Sequence, residues 1–216
     1  MEEIPAGVLV SALGFVLGVI FGVTAQRTNF CTMGAISDAV FMGDWNRFRA
    51  WMLAIAVAIL GSQALHMTGT VDLATSIYLT SNLGWAGAII GGLLFGFGMT
   101  MTGGCGNKTL VRLGAGNLKS VVVALFLGIF AYMTLRGLMG LARVELENSV
   151  NVDLSVVGMA DQGMPAFLGL FGVPEDSARL IVMAMVAGGL LWFVLKSRDF
   201  RASKADVAGG VIIGVL

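Results

Sequence analysis

The chain has 216 residues, of which 57% are hydrophobic and only 12% are charged, and it contains 31 glycines. A soluble domain is usually about 25% charged, so this composition indicates a protein that crosses a membrane several times. The formal net charge is zero, which argues against a nucleic-acid partner. Two cysteines and one histidine cannot form a disulfide framework or a zinc site, and no cofactor is expected.

Apolar runs long enough to cross a hydrocarbon core follow one another along the chain, each needing roughly 20 residues at 1.5 Å per residue. The first, residues 6–25, follows acidic rather than basic residues, so we predict a retained span and not a signal peptide. A last run begins near residue 207 and is too short to cross, which predicts that the chain stops partway through a longer protein. The remaining runs are residues 50–66, 84–101, 120–140 and 178–195, with an acidic polar loop at residues 141–177.

The distribution of lysine and arginine in the loops predicts the orientation of these spans. The basic loop Lys196–Lys204 is expected in the cytoplasm, and the acidic loop at residues 141–177 outside. Following the spans backwards puts Arg47 inside and the N-terminus outside. The loops agree with one another only if residues 30–42 and 105–113 do not cross the membrane. Each of these two stretches is therefore predicted to be a re-entrant segment.

Two parts of the chain repeat with an offset of 74 residues. The first repeat covers about residues 6–66 and the second about residues 84–140, and both are predicted to have the same orientation. The repeated unit is a span, a re-entrant cysteine segment and a second span, so the predicted fold is an all-α polytopic membrane protein, with residues 1–216 forming a single membrane domain. The aligned pairs are Gly18 and Gly92, Phe21 and Phe95, Gly22 and Gly96, Cys31 and Cys105, and, after a one-residue slip, Gly43 and Gly116.

The two cysteine segments carry groups that can bind an anion. Backbone N–H groups within a bilayer are tolerated only beside protein or water, so these segments are expected to line a polar space. A half-helix that starts near Cys105 would direct its amide groups towards an anion near the thiol. The candidate contact residues are Asn29, Cys31 and Thr32 in the first segment and Gly103, Gly104, Cys105, Gly106, Asn107, Lys108 and Arg112 in the second.

The basic side chains of the second segment have two interpretations. Lys108 and Arg112 are predicted to share a helix face with Cys105 and to face the cavity or its cytoplasmic mouth, because a cation facing lipid is costly. Alternatively, both extend to the membrane interface. Arg112 aligns with Asp38 of the first repeat, which suggests an ion pair between the repeats.

A single cysteine in a span is more often a small packing residue than a functional group. Two cysteines at equivalent points of a repeat favour function, although the sequence leaves their protonation open. A neutral S–H can donate a weak hydrogen bond to an anion, whereas a thiolate would repel it. Weak sites in series suit the passage of an ion.

The residues around the cysteines resemble the YeeE/YedE family of bacterial inner-membrane sulfur transporters, and the resemblance covers about residues 7–140. The motifs that carry it are Arg27-x-x-Phe30-Cys31-x-x-Gly34-Ala35-x-x-Asp38, Gly43-Asp44-x-x-Arg47 and Gly103-Gly104-Cys105-Gly106-Asn107-x-x-Leu110-x-Arg112-x-Gly114-x-Gly116-Asn117. The resemblance implies uptake of thiosulfate or a related sulfur-containing anion, although some members handle selenium instead. With the orientation above, the N-terminus would lie in the periplasm.

The resemblance also implies roles for the thiols. Cys31 and Cys105 match two pathway cysteines that contact the ion through their S–H groups. A third family cysteine belongs to a later half, and this sequence ends where that half would begin. A longer chain or a partner subunit is expected to supply it.

Two other functions stay open beside a transporter. One is a membrane sulfur or selenium transferase that forms a persulfide on Cys105, which would need a reactive, accessible thiol. The other is a scaffold subunit in which the cysteines only pack.

Overall fold

The computed structural model describes residues 6–73, 76, 78–159 and 161–216. The acidic N-terminal residues 1–5, predicted to lie outside the membrane, fall outside these ranges. The helices in chain order are α1 (Ala6–Arg27), α2 (Thr32–Ser37), α3 (Asn46–Met67), α4 (Trp85–Met101), α5 (Gly106–Gly114), α6 (Leu118–Arg136), α7 (Leu138–Val150), α8 (Met164–Gly169), α9 (Glu175–Leu195), α10 (Arg198–Ala202) and α11 (Lys204–Val215). A π-helix, Asp38–Met42, continues α2, and a 3-10 helix spans Leu154–Val157.

Five helical segments among the described residues are long and apolar enough to cross a membrane. Large apolar side chains on them are exposed in the single chain, for example Phe15 at 74% and Leu93 at 71%. Such exposure is expected where a helix faces lipid. This confirms the predicted all-α polytopic membrane class, while the re-entrant path of the cysteine segments stays a prediction. The segments are Gly7–Met42, Asn46–Met67, Trp85–Gly114, Leu118–Arg136 and Glu175–Leu195.

The described residues form two compact units, and each is considered by itself. The first unit contains the described residues up to Gly61 together with Ala187–Leu216. Within it, α11 packs closely on α3: a Cβ on Gly210 would lie 2.8 Å from the carbonyl oxygen of Ala50. Small residues allow helix backbones to approach in this way where lipid provides no hydrophobic drive. The short apolar run predicted from residue 207 is thus a packed helix that begins at Lys204.

The second unit contains Ser62–Val186. The acidic stretch predicted as a polar loop includes the helix α7, on which Arg143 pairs with Glu147 one turn away at 3.1 Å. Strand β1 (Asn82–Leu83) then pairs antiparallel with β2 (Val152–Asp153). The indole N–H of Trp85 donates to the carbonyl of Val150 at 3.0 Å. Much of the stretch between residues 141 and 177 is therefore structured.

The helix boundaries around the two cysteines follow the sequence repeat. Helices α1 and α4 end 74 residues apart, at Arg27 and Met101, and α2 and α5 begin 74 residues apart, at Thr32 and Gly106. In both repeats, a long apolar helix is therefore followed by a four-residue break and a short helix. The agreement extends the repeat from a few matching letters to the local structure of the backbone.

Candidate functional site

Each cysteine follows a backbone turn that favours particular residue types. Two residues before Cys31, Asn29 has a φ of 52°, and two residues before Cys105, Gly103 has a φ of 66°. Glycine adopts this left-handed region freely, and asparagine is enriched there among the other residues. The two breaks thus turn in the same way, with an asparagine in the first repeat and a glycine in the second.

Cys31 is buried at the N-cap of α2, with only 3% of its surface exposed. Its sulfur accepts a hydrogen bond from the Gly34 N–H at 3.4 Å, so the thiol helps to cap the short helix. A neutral thiol has a weak S–H donor besides this acceptor. Thr32, another predicted contact residue, is the first residue of α2.

The cysteine segment of the first unit is held against α3 by aromatic stacking. The ring of Phe30 lies 4.7 Å from the ring of Trp51, centroid to centroid, at an interplanar angle of 24°. Phe30 is buried, with 6% of its surface exposed. Such a stacked pair fixes the residue that precedes Cys31 and therefore the direction in which the thiol leaves the break.

Asp38 and Arg47 form an ion pair close to Cys31 that the sequence did not predict. The Nε of Arg47 lies 3.1 Å from a carboxylate oxygen of Asp38, which is buried. Asp38 therefore has a partner within its own repeat, while the expected pairing with Arg112 stays a prediction. A signal was present, since Gly43 and Arg47 stand in one of the quoted motifs: the chain turns at Gly43, φ 69°, and brings α3 back towards α2.

Cys105 is buried at the N-cap of α5, with 4% of its surface exposed. Its carbonyl oxygen accepts hydrogen bonds from the Thr109 N–H at 3.0 Å and from the Thr109 hydroxyl at 3.2 Å. The first backbone amide groups of α5 belong to Gly106, Asn107 and Lys108, directly after Cys105. A helix of nine residues thus begins next to Cys105, as expected, while its place as a half-helix within the membrane stays a prediction.

A cavity of about 190 Å³ lies beside Cys105 in the second unit. The polar side chains among its lining residues are those of Thr102, Cys105 and Thr109, and the rest of the lining is glycine and apolar side chains. The lining of this cavity contains fewer polar groups than the polar space expected from the sequence. The lining residues are Phe95, Gly98, Met99, Thr102, Gly104, Cys105, Gly106, Thr109, Val123 and Leu127.

The predicted basic residues lie close to the turn before Cys105. A Cβ on Gly104 would be 3.7 Å from the Nη1 of Arg112 and 3.7 Å from the Cβ of Lys108. Gly104 is buried, Lys108 is partly exposed and Arg112 is exposed. The second unit therefore brings Gly103, Gly104 and the first turns of α5 together with both cationic side chains.

A larger cavity, of about 330 Å³, lies elsewhere in the second unit and is a poor anion site. Its one arginine, Arg179, donates to Glu175 at 2.6 Å and also contacts the ring of His66. Asp176 lines the cavity and Asp72 lies 3.9 Å from the His66 ring. The carboxylates outnumber the arginine, so this cavity would repel an anion.

The fold and the two thiol turns define a class of protein: a multi-pass α-helical membrane protein with a buried cysteine at the start of a short helix in each of two repeats. Its sequence matches the sulphur transport family over residues 27–209. The chain belongs to that family, which confirms the resemblance seen around the two cysteines.

Several relatives carry transporter names. The chain is 30% identical over 195 residues to the thiosulfate transporter TsuA of Escherichia coli (strain K12), covering 90% of this chain and 49% of that protein. It is 31% identical over 124 residues to the thiosulfate transporter TsuA of Spirochaeta thermophila, covering 57% of this chain and 36% of the relative. The probable transporter YedE of Escherichia coli (strain K12) is 31% identical over 102 residues, 46% of this chain and 23% of YedE. The chain thus spans half or less of the length of these relatives, and their names are those of transporters, not enzymes.

Proposed function

We propose that this chain forms part of a transporter that takes up thiosulfate or a related sulfur-containing anion across the bacterial inner membrane. The observation that carries this proposal is the pair of buried thiols, Cys31 and Cys105, at equivalent backbone positions of two repeats. Membership of the sulphur transport family and the names of the thiosulfate transporters support it. Lipid surrounds the spans, and the substrate is a small anion.

The chemistry of the site suits passage rather than tight binding. A neutral S–H donates a weak hydrogen bond, and the N-terminal amides of α5 add a partial positive charge close to Cys105. An ion held by several weak contacts enters each site and leaves it again. Lys108 and Arg112 flank the turn before Cys105 and would attract the anion towards it.

The proposed orientation follows from the charged loops. The segment Lys196–Lys204 and the pair Arg47 and Arg49 would be cytoplasmic, with the N-terminus in the periplasm. This arrangement requires both cysteine segments to enter the membrane and to return to the same side. Each thiol would then lie at the start of a re-entrant segment, and the proposed ion path would pass it there.

A second half or a partner subunit would complete the path. The relative named TsuA from Escherichia coli is about twice as long as the part of it that this chain matches. Transporter sites commonly form where two related repeats face each other. The additional half would supply further contacts to the ion, including the third cysteine that the resemblance implies.

Uptake of ³⁵S-thiosulfate labelled at its outer sulfur, in cells that lack other sulfate and thiosulfate importers, tests the proposal. Cys31→Ser and Cys105→Ser should each reduce uptake to background while the amount of protein in the membrane stays normal. A hydroxyl is a shorter and harder group than a thiol and does not reproduce its weak contact. Uptake equal to wild type in both variants would contradict the thiol path.

The same label separates transport from transfer chemistry. If the Cys105 thiolate takes the outer sulfur of thiosulfate and sulfite leaves, the resulting persulfide keeps the label on the denatured chain until a reducing agent releases it. A transporter releases all of the label on denaturation. Covalent label in wild type that is lost in Cys105→Ser would favour the transferase.

A further inference from the structure

We infer that Arg47 binds the negative charge of the transported anion beside Cys31 and that Asp38 positions its guanidinium for this task. The inference rests on the proposed function and adds to it the group that recognises the substrate's charge. The class of ligand is a small divalent oxyanion such as thiosulfate.

The ion pair orients the guanidinium towards the thiol. Its contact with Asp38 uses Nε, while Nη1 is turned towards Gly34. A guanidinium has five N–H donors in a fixed plane, so holding one edge on a buried carboxylate fixes the direction of the others. Asp38 is only 7% exposed, which makes it a firm anchor for a longer and more exposed side chain.

Gly34 has no side chain on the side where both the arginine and the thiol lie. A Cβ on Gly34 would lie 2.8 Å from the Nη1 of Arg47 and 3.8 Å from the Sγ of Cys31. Both groups therefore lie on the side of Gly34 that a side chain would occupy, so a small oxyanion bound against this side would be close to both. Any side chain at this position would push the guanidinium away.

A thiol alone does not compensate the negative charge of a bound dianion. Removing a dianion from water is very costly unless a cation or several donors replace the lost hydration, and one S–H is a weak donor without charge. Arg47 supplies a permanent positive charge. Because Asp38 partly neutralises that charge, the ion is held less strongly than by a lone arginine, which allows its release.

The second repeat contains a similar pairing of a thiol turn with an arginine. Arg112 stands where Asp38 stands in the first repeat, and its Nη1 would be 3.7 Å from a Cβ on Gly104, the residue before Cys105. A guanidinium beside a glycine close to the cysteine is thus found in both units, although Gly34 lies in α2 after Cys31 and Gly104 lies in the turn before Cys105. The first unit combines it with a carboxylate anchor.

Equilibrium binding of ³⁵S-thiosulfate to the purified full chain tests the inference. The parent protein is the wild-type chain, because Cys105 belongs to the proposed binding site. Arg47→Gln should raise the Kd at least tenfold, since the loss of one charged hydrogen bond of about 1.4 kcal/mol has that effect. The matched control is Arg49→Gln on the same helix, where the guanidinium lies 5.3 Å from the Phe193 ring centre and the Kd should not change.

A second variant leaves every charged group in place. Gly34→Ala puts a methyl group 2.8 Å from the Nη1 of Arg47, and because this atom is the end of a flexible side chain, the protein should still fold. Its Kd should rise in the same direction as that of Arg47→Gln. If thermal melting shows that Arg47→Gln does not fold, the Kd of Gly34→Ala alone tests the role of Arg47.

The outcomes separate the two ideas. Binding in the parent that neither Arg47→Gln nor Gly34→Ala weakens by more than twofold overturns the role of Arg47 and leaves the thiol path standing. A parent that does not bind thiosulfate overturns the inference, and, together with wild-type uptake in both serine variants, overturns the proposed function as well. A selective rise in Kd in Arg47→Gln and Gly34→Ala supports the assignment.

Discussion

Replacing Gly214 by alanine is expected to destabilise the first unit, whereas the same change at Gly128 is expected to stabilise a helix. A Cβ on Gly214 would lie 2.6 Å from the Ala54 carbonyl oxygen and 2.7 Å from the Val57 Cβ, and both of these atoms are fixed to the α3 backbone. Helix α11 would have to move away from α3. Such overpacking typically costs about 1–3 kcal/mol.

The control position, Gly128, lies in α6 with nothing within 4 Å of its added Cβ. Alanine there meets no obstacle and gains about 0.8–1.0 kcal/mol of helix propensity over glycine. One chemical change should therefore have opposite signs at two sites, with a difference of about 2–4 kcal/mol in the free energy of unfolding.

Thermal unfolding of the purified full chain in detergent, followed by circular dichroism, measures this difference. For a chain of this size, about 2–4 °C of Tm accompanies each kcal/mol. Gly214→Ala should melt several degrees below wild type, and Gly128→Ala at or above it. Equal Tm shifts in the two variants, or a higher Tm for Gly214→Ala, would refute the close packing of α11 on α3.

Three further predictions concern the cysteine turn, the topology and one loop. Gly103→Asn should keep a Tm and a thiosulfate uptake close to those of wild type, because Asn29 occupies the equivalent turn. Gly103→Val should have a lower Tm and lower uptake, because a β-branched residue resists a φ of 66°. Equal Tm and uptake in the two variants would contradict this. Alkaline phosphatase fused after Gly69 should be active and after Gly116 inactive, while activity after Gly116 would mean that residues 105–113 cross the membrane. The backbone N–H of Ser155 donates to Asp153 at 2.9 Å and, with the Ser155 side chain, lowers the pKa of that carboxyl. The stabilising effect of this carboxylate is present above its unfolded-state pKa and disappears as the pH falls through the lowered pKa of the folded state. The Ser155 amide should therefore be better protected from hydrogen exchange in wild type than in Asp153→Ala at neutral pH, and equally protected in the two proteins in acid. A difference in protection that persists unchanged in acid would contradict this.

The sequence by itself determined the membrane class, the long apolar helices and the position of both cysteine breaks. These features depend on local properties: the length of an apolar run fixes a span, and residues such as Asn29 and Gly103 adopt a left-handed turn at low cost. The 74-residue offset between Cys31 and Cys105 likewise predicted matching helix boundaries, because equal local sequence gives equal local backbone.

The tertiary structure decided which side chains meet. The sequence did not reveal that the turn at Gly43 brings Arg47 to the carboxylate of Asp38. The acidic composition of residues 141–177 suggested a loop, whereas pairing with β1 and a helix of its own order much of that stretch. Contacts of this kind depend on the direction of side chains and on packing between distant segments, and neither is written in the local pattern of a single stretch.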